Sequence, residues 1–214
     1  MVALGNECSV NTHAILTDMN TPLGRAAGNS LEMKESVDCL ENKGPDDLRQ
    51  LVVDSAAHLL IQTKKTKSLA AARKLAADCL NFGEPRQKWD EILIAQGADL
   101  QAFNQKLLRH SIAPVVLELK SPRAGFISCC DAKIVGEVIR DLGGGHLTKD
   151  SQINYDAGVD RITKPGEHVE KNSVLARIHA ADRTQAEAAV VRLKTAFEIS
   201  ARRHAVAKLI HEVI

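Results

Sequence analysis

The spacing of apolar residues divides the chain into two stretches of different character. In the first, Leu48, Leu51, Val52, Ala56, Leu59 and Leu60 recur at a helical period, which predicts a helix opened by Asp46 or Asp47 with those side chains on its packed face. Leu31, Val37 and Leu40 make a second stripe, predicting a helix with Asn29 as N-cap and Glu32 as its capping-box partner, ended by Gly44–Pro45. Ser68 suits the N-cap of an alanine-rich helix stopped at Gly83. Pro85 suits the first turn of a helix ending at Gly97, and Asp99 caps one more that runs to about Leu108. Ahead of these, Met1–Cys8 reads as the end of a helix and His13–Thr17 as a short buried strand. Asp18–Gly28, with Pro22, Gly24 and Gly28, reads as a loop.

The period changes near residue 112. Val115–Lys120 and Gly125–Cys130 read as strands around a Ser121–Pro122 turn, and Asp131 then caps a helix to Leu142 that Gly143–Gly145 breaks. Gly158–Ile162, Glu167–Glu170 and Val174–Ala180 are short strand-like pieces, and Asp182–Ser200 reads as a closing amphipathic helix. The pattern therefore predicts a mostly helical region over residues 1–112 and a small α+β module over residues 113–214.

Composition narrows the function classes. Hydrophobic residues are 44% and charged residues 26% of 214, ordinary for a folded globular chain. A net charge of +1 supplies no field for nucleic acid or an anionic membrane, so neither is expected as a partner. No apolar run reaches the ~20 residues needed to cross a bilayer, and Met1–Ser9 lacks the basic start and apolar stretch of a signal peptide. Five cysteines without a C-x-x-C pair suit a reduced, cytoplasmic protein, and the adjacent Cys129 and Cys130 should face opposite sides of their strand.

Most chemistry-bearing residues have plain structural readings. Gly143–Gly145 follows a helix instead of preceding one, which favours a C-cap over a phosphate cradle. The eight histidines are dispersed, so no zinc site is expected. Arg202–Arg203–His204 reads as a solvated face, and Gly24 and Gly28 read as loop glycines at positive φ. Lys164, before Pro165, lies in the wrong context for the modified lysine of a carrier domain, although Lys164–Ala180 has the hairpin layout of one.

Two segments are more specific. Leu16–Leu40, LTDMNTPLGRAAGNSLEMKESVDCL, resembles the T/S-D-M-x-x-P-L-G-x-A-x-G-N-x-L-E-V-x-E-A stretch of thymidine and pyrimidine-nucleoside phosphorylases, and Gly44–Leu51 (GPDDLRQL) resembles the next helix start. Ala124–Ala180 is similar to the C-terminal domain of that family, with its G-F-I-S start, its L-G-x-G turn and its L-A-x-I-H-A ending. The resemblance implies an α/β to α+β fold: a helical remnant of the α/β catalytic domain followed by a small α+β C-terminal domain with a barrel-sandwich-like hairpin.

It also implies reversible phosphorolysis of a pyrimidine nucleoside, a pentosyl transfer with phosphate and nucleoside as substrates. The family's Lys-His-Ser-Thr-Gly-Gly loop does not occur in this sequence, and its one Ser-x-x-x-Lys spacing is not preceded by the arginine that the family's Arg…Ser-x-x-x-Lys set requires. No catalytic residue is therefore assigned, Met1 is expected to be an internal methionine of a longer protein, and the chain is expected to be inactive alone. One functional element carries over: the carbonyls of Leu23 and Ala26 with the Glu35 carboxylate, part of a potassium site in bacterial members of the family. Expected partners are an N-terminal half, making this one part of a split enzyme or an assembly module, or a second copy in a homodimer. The His13–Thr17 strand and the apolar helix faces are expected to lie open, favouring association.

Overall fold

A computed structural model describes residues 1–108, 113–146 and 148–214, so the boundary expected near residue 112 lies outside the described residues. The first region contains α1 (Val2–Glu7), β1 (Ile15–Thr17), α2 (Asn29–Leu40), α3 (Asp46–Gln62), α4 (Leu69–Phe82), α5 (Glu84–Ala95) and α6 (Leu100–Leu107). The second contains β2 (Val115–Lys120), β3 (Gly125–Cys130), α7 (Ala132–Ile139), β4 (Gly158–Asp160), β5 (His168–Val169), β6 (Val174–Ala180), α8 (Arg183–Leu193), β7 (Phe197–Ser200) and β8 (Ile210–Val213). The architecture is mixed α+β, with no closed barrel among the described residues. No helix of the described residues is long and apolar enough to cross a membrane.

Local chemistry sets most boundaries. Ser68 accepts from the Ala71 amide, Asp99 from Ala102, and Asp131 from Lys133 and Ile134, each taking up free donors of a first turn. Gly83, at φ +78°, ends α4 in the left-handed conformation that a Cβ disfavours. Past α7 the chain widens into a π-type turn over Arg140–Gly144, closed by Gly143 at φ +85°.

Four expectations change. Asn29 is the first helical residue and Gly28 holds the cap position; the Glu32 carboxylate accepts from the Gly28 amide at 2.8 Å, so half of a capping box forms one residue earlier. In α3 the buried residues are Val53, Asp54 and Ala57, whereas Leu59 is 61% exposed. That rotation places Asp54 within 2.5 Å of Arg73 on α4 and leaves part of the apolar stripe outward. The helix expected over Asp182–Ser200 stops at Leu193, and Phe197–Ser200 forms β7 instead. Finally, β1 pairs antiparallel with β8, from Ile15 opposite Val213 to Thr17 opposite Ile210, and β1's other edge has no partner among the described residues.

The main core belongs to the second region. Two antiparallel sheets, β2-β6-β4 and β5-β3-β7, bury Leu119, Ile127, Val159, Leu175 and Ile178 against Val135 and Val138 of α7 and Leu193 of α8. Cys130 points into this core at 1% exposure and Cys129 away from it, as strand alternation requires. Burial pushes the Cys130 thiol up to about 12. The first region has a smaller cluster of Val53, Ala76 and Leu80, and α1, α5 and α6 bury nothing completely.

The regions are joined by main chain. Ala27 and Val159 exchange two hydrogen bonds of 2.8 Å, so the loop before α2 is laid beside β4. Gly28 and Gly158 meet at this crossing: a Cβ on Gly28 would come within 2.5 Å of the Ala157 carbonyl, and one on Gly158 within 2.5 Å of the Ala27 carbonyl.

Candidate functional site: the loop before the second helix

Pro22–Ala26 is held from three directions. Gly24 takes φ +67°, and a Cβ there would lie 2.0 Å from Glu35 Oε2, so this position needs glycine both for its backbone and for its neighbour. Glu35, on the second turn of α2, reaches back and accepts the Arg25 amide at 2.8 Å, with the Ala26 amide a further donor. Burial pushes the Glu35 carboxyl up from the usual carboxylate range, against the pull of those two amides.

The second hold comes from α3. Asp47 accepts the Gly24 amide at 3.1 Å and lies 2.8 Å from Lys164 Nζ, whose other contact is the Pro22 carbonyl. Burial alone would raise the Asp47 carboxyl, but the hydrogen bond and charge of Lys164 bring it below the ordinary value. The third hold is Glu167, which receives the Arg25 guanidinium through both oxygens and the Lys164 amide at 2.9 Å. Arg25 also donates to the Ile162 carbonyl at 3.1 Å, while its own carbonyl accepts the Ile162 amide at 3.0 Å.

The three residues expected from sequence to act together do converge. Leu23, Ala26 and Glu35 line one cleft of about 330 Å³ between α2 and α7, with Pro22 and Glu32 beside them. Among the described residues no hydrogen bond reaches the carbonyl of Leu23 or of Ala26. Oxygen donors of this kind, two neutral and one anionic, suit a hard cation.

Sequence reading missed Arg25, Asp47, Lys164 and Glu167 as supports. Lys164, which lies in a carrier-like hairpin, has a side chain 14% exposed and engaged by Asp47. Its pairing spans more than a hundred residues, so no local spacing announces it.

On the far side of Ala26 a second cleft of about 370 Å³ is lined by Arg25, Glu35, Asp160 and Arg177. Asp160 is bidentate to Arg177, at 2.8 and 2.5 Å, and lies 3.2 Å from Nε2 of the buried His179. Burial would raise the Asp160 carboxyl, but the hydrogen bonds of His179 and Arg177 outweigh it and hold the group at about 2.

Comparison with known proteins gives two domain matches. Residues 1–86 match the glycosyl transferase family a/b domain, and residues 126–200 match the pyrimidine nucleoside phosphorylase C-terminal domain. The chain is 33% identical over 214 residues to the pyrimidine-nucleoside phosphorylase of Staphylococcus haemolyticus (strain JCSC1435), covering 100% of this chain and 49% of that protein. It is 33% identical over 215 residues to the pyrimidine-nucleoside phosphorylase of Staphylococcus aureus (strain USA300), at the same coverage. The chain thus spans about half the length of the curated relatives it matches. The two matched domains occur in the order found in the nucleoside-phosphorylase class of proteins. The chain belongs to the pyrimidine-nucleoside phosphorylase family and corresponds to its C-terminal portion.

Proposed function

We propose that the chain serves reversible phosphorolysis of pyrimidine nucleosides, and that it does so only together with residues outside this sequence. In that reaction phosphate attacks the anomeric carbon, the bond to the base breaks, and base and pentose 1-phosphate leave. Catalysis requires a positioned dianion and stabilisation of the charge on the departing base. The 214 residues hold no Lys-His-Ser-Thr-Gly-Gly loop, and their one Ser-x-x-x-Lys spacing lacks the appropriately placed arginine expected for those tasks. What they do hold is the loop that carries Leu23, Ala26 and Glu35 in one cleft, and this is the observation that carries the proposal.

The role we assign to that cleft is a partial potassium site, with the Leu23 and Ala26 carbonyls and the Glu35 carboxylate as ligands. A bound cation would supply positive charge near a phosphate. The chain's own contribution is positional: Asp47 and Glu35 fix the amides of Gly24 and Arg25, and Lys164 holds the Pro22 carbonyl. The amides thereby face the carboxylates, and the intervening carbonyls are left for the ion.

A second reading is that the chain is one half of a split enzyme, docking a partner that bears the N-terminal half. The open edge of β1, with Leu4, Val10 and Leu16 at 63%, 59% and 44% exposure, favours it.

Base release from thymidine or uridine in phosphate buffer tests the first statement. The isolated chain should release none at any phosphate concentration, and release by this chain would overturn it. Potassium chloride should raise the melting temperature above that in sodium chloride of equal ionic strength, and Glu35→Gln should abolish the difference. Equal melting in both salts would remove the ion site.

A further inference from the structure

We propose that a separate cleft between α2, α6 and the loop before β4 binds a planar heteroaromatic molecule carrying an anionic group. The proposal is independent of the reading of the Pro22–Ala26 loop.

The cleft has a volume of about 460 Å³ and is walled by Met33, Phe103, Leu107 and Tyr155. Aromatic residues are scarce: the whole chain has four Phe, one Trp and one Tyr. Two of these six face the same cleft, and a third, Trp89, lies behind Phe103 with ring centroids 6.4 Å apart. Tyr155 is 61% exposed, and among the described residues its hydroxyl makes no hydrogen bond. Its backbone is nevertheless fixed, because its carbonyl accepts the Ser30 amide at 3.0 Å. The ring is thus presented to solvent on an anchored main chain, as a stacking surface requires.

Two lysines border these rings, and one of them has no ion-pair partner among the described residues. Lys106 lies 2.9 Å from Asp156, which also accepts from Ser30 Oγ at 3.2 Å, so that lysine is fixed in place and largely compensated. Lys34 is half-buried on the cleft wall and makes no hydrogen bond or ion pair among the described residues; its nearest acidic influence is Asp38, one turn further along α2. The first turn of α2, at Asn29 and Ser30, closes the end of the cleft, with the Ser30 amide given to the Tyr155 carbonyl and the Gly28 amide to Glu32. Two aromatic faces select a flat ring, and a lysine without an ion pair among the described residues selects a negative charge on it. An uncharged apolar peptide would leave Lys34 desolvated without a partner, which disfavours that occupant.

The single tryptophan supplies a reporter next to Phe103. Titrating the full chain with uridine 5′-monophosphate should change Trp89 fluorescence saturably. Uridine alone and ribose 5-phosphate alone should each bind at least about tenfold more weakly, because each lacks one of the two recognised features. Tyr155→Ser should weaken the nucleotide by about tenfold, Tyr155→Phe should retain its binding, and Lys34→Gln should weaken it about threefold. Both positions are outside the buried core, and an unchanged melting temperature would confirm that the fold is intact. Absence of saturation, or equal binding by Tyr155→Ser, would overturn the proposal. Ribose 5-phosphate binding as tightly as the nucleotide would reduce the site to unspecific anion attraction and overturn it as well.

Discussion

The two regions of this molecule follow the same local rules and reach different ends. In residues 113–214, the two three-stranded sheets close on one core with α7 and α8, and Ile127, Ile162, Ile178 and Leu193 are each at most 1% exposed. In the first region, helices of ordinary length build a cluster of just three buried side chains, Val53, Ala76 and Leu80, while Leu31, Val37, Cys39, Ala57 and Ala72 are buried outside it. Leu59 and Phe82 stand 61% and 77% exposed on the helices that build that cluster. Helix formation is therefore no guide to self-sufficiency: a capped, amphipathic helix is stabilised mostly by what covers its apolar side. The second region supplies its own cover. The first leaves apolar surface for another.

The sharpest way to break this comparison is to remove core volume. Ile178→Ala should lower stability by about 4 kcal/mol, the scale of a large-to-small change at a fully buried site, read as a shift of the thermal or urea unfolding midpoint. A shift no larger than that of a surface substitution would mean the second region is not the cooperative unit. Next in size is the tie between the regions. Lys164→Met leaves Asp47 half-buried without its cation, and it should destabilise by about 1–2 kcal/mol while lowering protease resistance of the Pro22–Ala26 loop. Unchanged proteolysis there would make Lys164 irrelevant to that loop.

A smaller effect is expected in acid. The Asp160 carboxyl is held at about 2 in the folded chain by His179 and Arg177, against about 3.9 for an unfolded aspartate. A depressed carboxylate binds protons more readily when unfolded. Its contribution is therefore present above about pH 4 and is lost as pH falls toward about 2. Asp160→Asn should flatten the stability curve across that window, and an unchanged curve would show that other groups govern it. The smallest effect in stability should come from Leu59→Ser, within about 0.5 kcal/mol. Sedimentation should show the same substitution reducing self-association, since Leu59 belongs to the uncovered surface.

Much of this was legible in the sequence, for identifiable reasons. Ser68, Asp99 and Asp131 act on donors two or three residues away, so their caps could be read locally, and Val174–Ala180 has the apolar run of a central strand. Leu23, Ala26 and Glu35 border one cleft because they lie close together in sequence. The failures are non-local. Phe197–Ser200 becomes a strand because it pairs with β3, from Cys130 opposite Phe197 to Phe126 opposite Ser200. Ile210–Val213 is a strand only because β1 lies beside it. The packed face of α3 was misjudged because Asp54 is drawn inward by Arg73, and a charge on a buried face has no signature in an apolar period. Likewise Asp47 and Glu167 meet their cations across more than a hundred residues of chain.

Hydrogen exchange followed by mass spectrometry tests the difference between the regions most directly, because it reads each segment's opening free energy separately. Peptides from Gly125–Cys130 and Val174–Leu193 should exchange slowest, at the rate of global unfolding, while those from Val2–Thr17 and Glu84–Leu107 should exchange orders of magnitude faster. Uniform protection along the chain would contradict the account, because it would mean that the first region is as self-sufficient as the second.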